Sequence, residues 1–95
     1  TSGGVVWGGS IERHDDDVTD LDADSFATEQ LSGTATAPSA AGEAGYDAIA
    51  FTAGANMDSL AVGESFRFRL VRKVAEAGDD MTGDAELLAI EIRET

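Results

Sequence analysis

Four of the six basic residues, Arg67, Arg69, Arg72 and Lys73, fall within seven positions of a chain that carries nineteen Asp and Glu. On a strand, Arg67 and Arg69 share one face about 7 Å apart, because successive side chains alternate between faces. Two readings follow. The stripe can be an internal network with Asp47, Glu86 and Glu91 on adjacent strands. It can equally be a docking stripe for an acidic face of another subunit. In concentrated salt, exposed ion pairs add little affinity, so such a stripe sets register more than strength.

The carboxylates offer two candidate cation sites. Asp20, Asp22 and Asp24 have the 1-3-5 spacing of a calcium loop, but position six is Ser25 rather than Gly and position twelve is Leu31 rather than Glu. A solvated, cation-attracting loop is the default reading. Asp79, Asp80 and Asp84, with Thr82, form the second candidate; the alternative is a mobile acidic tip turned by Gly78 and Gly83. Other chemistry is poorly supported. His14 is the single histidine and sits on a charged stretch, and none of the seven serines is marked as an activated nucleophile. Paired carboxylates carry no information where acids are everywhere. There is no phosphate-binding loop, dinucleotide fingerprint or HExxH motif. The expectation is a protein without catalytic residues; a small enzyme or inhibitor is the minor rival.

Composition says more about solvent than about task. The net charge is −13 on 95 residues, with a lone lysine, no cysteine, eleven glycines and one proline. Such self-repulsion pushes a compact state apart in dilute salt. At molar salt the Debye length falls to about 3 Å and the repulsion is screened. Acid excess with near-absent lysine and plentiful Ala and Gly resembles proteins of extremely halophilic archaea and their viruses. Phosphates would be repelled by the summed field, so nucleic acid is not an expected ligand. No apolar run approaches the roughly 18 residues of a membrane span, and no membrane partner is expected. The absence of cysteine excludes disulfides and thiolate metal sites. The chain opens at Thr1 without Met, which fits loss of an initiator Met or a precursor cut upstream.

The elements read as strands. Phe66, Phe68 and Leu70 alternate with Arg67, Arg69 and Val71, the pattern of a half-buried strand over Glu64 to Val74. Leu88, Ile90 and Ile92 alternate with Ala89, Glu91 and Arg93, and the Gly-containing connection between the two runs predicts an antiparallel hairpin. Tyr46 to Ala53 alternates too, with Ile49 and Phe51 inward, and Leu60 and Val62 tuck beneath. Phe26 to Thr36 predicts one or two short strands broken at Gly33, with Phe26 and Leu31 inward. Asp15 to Ser25 is an acidic loop with room for a helical turn capped by Thr19. Ser10 to His14 is a short strand with Ile11 inward. Residues 1–10 read as a Gly-rich arm around Trp7, which either plugs the core or inserts into a neighbouring subunit. No long helix is expected. One domain over residues 1–95 results: all-β, a small antiparallel β-sandwich or jelly-roll-like fold. Its core is Phe51, Phe66, Phe68, Leu70, Leu88, Ile90 and Ile92. With only 24 large apolar residues, that core is thin, and a partner subunit can supply missing burial.

The run Gly63-x-x-Phe66-Arg67-Phe68-Arg69-Leu70-x-Arg72, the acidic loop at Asp79-Asp80-Met81, and Gly83-Asp84-Ala85-x-Leu87-Leu88-x-Ile90-x-Ile92 together resemble small virion structural proteins of tailed viruses. The resemblance covers residues 46–95 and leaves residues 1–45 unmatched. It implies a β-sandwich module repeated in a particle as capsid decoration, turret, collar or fibre, with no catalytic residues. The expectation is a virion protein of a halophilic archaeal virus that assembles with itself and with other virion proteins. Subunit contacts are expected at Trp7, Arg67, Arg69, Arg72 and Lys73. The alternative is a sugar- or calcium-dependent adhesin at a cell surface or tail tip.

Overall fold

The computed structural model describes residues 3–15, 18–38, 40 and 42–94. Its strands are β1 (Gly4–Val5), β2 (Trp7–His14), β3 (Gln30–Leu31), β4 (Ala35–Thr36) and β5 (Ser65–Arg72). Ala55–Met57 forms one 3-10 turn, and no α-helix occurs among the described residues. The fold is all-β and antiparallel. β1 pairs with β4, and a three-stranded sheet has the order β3-β2-β5. Two such sheets are compatible with a small β-sandwich.

The strand at Ser65–Arg72 is where alternation placed it. Its partner is not. β5 pairs with β2 over eight residues, from Trp7 opposite Arg72 to His14 opposite Ser65. Residues 85–93 form no strand, so the expected hairpin is overturned. A period of two assigns faces; it does not say which strand lies alongside.

The Gly-rich arm is likewise corrected: most of it is strand. β2 is the central strand, flanked by β5 and β3. Its glycines serve close approach. A Cβ on Gly8 would lie 2.6 Å from Glu29 Cδ, and one on Gly9 would lie 2.9 Å from Phe68 Cζ and 3.2 Å from Phe51 Cζ. Neighbouring side chains therefore lie directly over the backbone, and their burial replaces what the glycines lack. Ile11 is buried on β2, as expected.

β2 and β5 build two faces by register. Glu12 stands opposite Arg67 and Ser10 opposite Arg69 on one face; Gly9 stands opposite Leu70 and Ile11 opposite Phe68 on the other. Phe51 packs edge-on against Phe68 at 6.1 Å, beside Gly9. The buried hydrophobic residues among those described are Val5, Val6 and Ile11, where β1 runs into β2.

The expected core is otherwise redistributed. Phe51, Phe68 and Leu70 are half-buried and Phe66 is at the exposed margin. Leu88, Ile90 and Ile92 are 76, 50 and 58% exposed, because residues 84–94 pack under no second strand. Tyr46 to Ala53 is irregular rather than a strand, although Ile49 and Phe51 do turn inward. Val62 and Leu31 are exposed, against expectation, while Leu60 is half-buried. Val62 sits in a tight turn before Gly63 (φ 87°), and such a turn at the surface leaves its side chain outside. The short strands flanking Gly33 are present.

Turns are closed by side chains. Thr19 caps no helix; its hydroxyl accepts the Asp15 N–H at 2.8 Å and closes the acidic loop on itself. Asp58 adopts φ 52°, a left-handed conformation that Asp tolerates, and its carboxylate accepts the Arg13 N–H at 2.9 Å.

Candidate functional site

The basic stripe lies on β5, and β2 supplies what faces it. Glu12 is fully buried, directly across the ladder from Arg67. Arg67 Nε donates to Glu12 Oε1 at 2.6 Å and Nη2 to Oε2 at 3.3 Å. The acidic loop folds over this pair. The Ser25 backbone N–H and hydroxyl both donate to Glu12 Oε2, at 2.6 and 2.9 Å. Arg67 Nη2 also donates to Asp24 Oδ1 at 2.9 Å and to the Leu21 carbonyl at 3.1 Å. Each buried carboxylate oxygen thus has a donor, the condition for keeping a charge away from water. The Arg67 hydrogen bond, followed by the Ser25 N–H, draws the Glu12 carboxyl down to about 2 despite its burial. Arg67 is in turn raised, chiefly by Glu12.

Phe26 lies beneath the same stripe. Arg67 and Arg69 place their guanidinium carbons 4.8 and 4.4 Å from its ring centre. Arg69 Nε donates to the buried Ser10 hydroxyl at 3.3 Å. Phe26 is inward, as expected, but under cations rather than in an apolar core.

A second clasp closes the far end of β5. Asp79 is buried to 1% side-chain exposure and receives Arg72 through Nε and Nη2, the shortest contact being 2.7 Å. Its other oxygen accepts the Val6 N–H at 3.0 Å. The Arg72 hydrogen bond, then that of Val6, holds the Asp79 carboxyl below its ordinary value. Arg72 also donates to the Met81 and Gly83 carbonyls, both at 2.7 Å. Asp80 accepts the Gly4 N–H at 2.6 Å. Lys73 Nζ pairs with Glu29 at 2.8 Å. The loop read as a mobile acidic tip is therefore tethered to β1 and β5.

The stripe is an internal network, with partners other than those expected. Arg67 takes Glu12 and Asp24, Arg72 takes Asp79, and Lys73 takes Glu29. Asp47, Glu86 and Glu91 are not its partners among the described residues, because β2 occupies the neighbouring position assigned to residues 85–93. Glu12 and Ser10 were missed because the glycines before them disguised the length of β2. The available signal was a cationic strand in want of a buried acid opposite.

Trp7 is half-buried at the start of β2, its N–H donating to Ser32 Oγ at 2.9 Å. Asp20 accepts the Asp22 N–H at 2.9 Å, whereas Asp24 turns to Arg67. Asp84 is exposed and makes none of the Asp79 clasp's hydrogen bonds, but its charge adds to that of Asp79 in raising Arg72. No group of three or more His, Asp or Glu placed to hold a metal occurs among the described residues. His14 is exposed at the end of β2, on a shallow surface depression with Asp15, Gly63, Glu64 and Ser65.

The opposite face of the sheet is the less satisfied one. Trp7, Phe68, Leu70 and Phe51 are half-buried there, and Phe66 and the stretch through Leu88, Ile90 and Ile92 face solvent. No family model matches the chain, and no curated protein or solved structure matches it.

Proposed function

We propose that this chain is a structural protein of a halophilic archaeal virus, built into the particle by assembling with itself. The observation that carries self-assembly is the ratio of buried to exposed apolar surface. Three hydrophobic residues are buried, while twelve large ones are exposed among the described residues. Contiguous apolar exposure marks an interaction surface, and Leu87, Leu88, Ile90 and Ile92 fall in one exposed run. The net charge of −13 supports a protein that works in brine, where repulsion between acidic copies is screened. The resemblance over residues 46–95 supports placement in a virion. Catalysis has no part in this reading; the charged clusters hold strands together.

Light scattering and native mass measurement of the purified chain in molar KCl test it. A discrete oligomer that dissociates as salt is lowered is expected. A monomer at all concentrations, with no affinity for virion components, would overturn it.

A further inference from the structure

The segment from Ala85 to Arg93 and the outer edge of β5 share a pattern. β5 ends its sheet, paired with β2 on one side only. An edge strand presents a row of backbone donors and acceptors to any extended chain that fits. Cationic side chains often blunt such an edge. Here Arg67 and Arg72 are drawn onto the sheet's own faces by Glu12 and Asp79, and Arg69 by Ser10 and Phe26.

Residues 84–94 take part in no backbone hydrogen bond among the described residues. Their one ion pair, Glu91 with Arg93 at 3.7 Å, is 77% exposed at both partners and holds little. Residues 86–94 are all exposed, Leu88, Ile90 and Ile92 among them, and those three alternate in sequence with Ala89, Glu91 and Arg93. Tethers at Asp79, Asp80, Met81 and Gly83 fix the preceding loop to β1 and Arg72. The molecule is long, 47 Å on its major axis with a radius of gyration of 15.2 Å. About 12 to 13 Å is usual for a compact domain of this length.

We infer that residues 85–93 of one copy add as a strand to the β5 edge of a second copy. This rests on the self-assembly reading and names its contact. The fit holds on both faces at once. With Leu88, Ile90 and Ile92 beside Phe66, Phe68 and Leu70, strict alternation puts Glu91 on the face of Arg67 and Arg69. Apolar meets half-covered apolar, and acid meets the cationic stripe. A one-residue slip would reverse both matches, so the pairing specifies its own register. Main-chain bonds supply affinity and alternate side chains supply selectivity, as in strand addition generally. Because the donor segment and acceptor edge are different surfaces, the contact is head-to-tail and builds rings or filaments.

The test compares the full chain with Ile90→Pro in molar KCl. Proline removes a ladder donor from the middle of the added strand and the buried isoleucine with it. The expected result is association weakened by about tenfold to a hundredfold. The thermal transition of the dilute protein should not move, since the segment is unpaired in the single copy. An oligomer of unchanged affinity in Ile90→Pro would overturn the inference and leave self-assembly standing. A wild-type chain that never associates would overturn both. Amide protection over residues 86–92 that is independent of protein concentration would assign the strand to its own chain and also overturn it.

Discussion

Gly4→Ala is the sharpest probe of how the two halves of the chain meet. Gly4 is buried in β1, and a Cβ there would stand 2.6 Å from the Gly78 carbonyl oxygen as well as against the Thr34 methyl. Gly4 cannot step aside. Its N–H is held by Asp80 Oδ1 at 2.6 Å, and its carbonyl accepts the Asp80 and Met81 N–H groups, both at 3.0 Å. Overpacking of this kind costs about 2 kcal/mol. Loss of one of the backbone bonds as the loop withdraws adds about 1 kcal/mol. The smaller entropy of the unfolded alanine chain returns about 0.7 kcal/mol. The net is about 2.3 kcal/mol, or a melting point lower by about 10 to 18 °C for a domain of this size. Trp7, the only tryptophan and half-buried at the start of β2, reports the transition by fluorescence in molar KCl. Two controls calibrate it. Gly9→Ala meets the tip of the Phe68 ring, which can swing, and should cost clearly less. Gly33→Ala enters open space and should be neutral or slightly stabilising. Thr34→Ser should rescue Gly4→Ala only in part, because the Gly78 carbonyl remains. A Gly4→Ala protein that melts with the wild type, or above Gly9→Ala, would refute the tethered loop.

Acid should unfold the protein through Glu12 and Asp79. Both carboxyls are lowered in the folded state, Glu12 to about 2 from 4.5 and Asp79 below 3.8. Their contribution is therefore full above the unfolded values and is lost as pH falls through the window between about 4.5 and 2. Melting points over that range should fall steeply for the wild type and less steeply for Glu12→Gln; equal slopes would contradict the assignment. Arg67→Ala should destabilise more than Arg69→Ala, since only the former strands a buried carboxylate, and Arg67→Lys should restore the loss in part because it lacks the two-pronged geometry. Thermal melts should show stability rising as KCl goes from dilute to molar; a flat or falling profile would argue against screened self-repulsion. Calcium should raise the melting point no more than potassium of equal ionic strength, because Asp24, Asp79 and Asp80 are already engaged by Arg67, Arg72 and Gly4; a specific upward shift would favour the adhesin reading.

The strand at Ser65–Arg72, the absence of long helix and the two short strands about Gly33 were legible from the sequence, because each is a local matter of alternation and breakers. So was the inward side of Ile11 and Phe51. Pairing was not. Residues 85–93 alternate as well as any strand, yet β5 lies against the glycine-bearing run at Trp7–His14. Alternation is a property of one segment, while a ladder needs two segments and room between them. That room comes from Gly8 and Gly9, whose missing side chains admit Glu29, Phe51 and Phe68, and a sequence shows the gap without showing what fills it. Glu12 escaped notice for the same reason: its burial depends on Arg67 from 55 positions away and on a loop that closes over both. Local patterning determined which residues could be strands. Only the tertiary structure decided which strands met, and hence which charges became the interior and which apolar residues were left exposed.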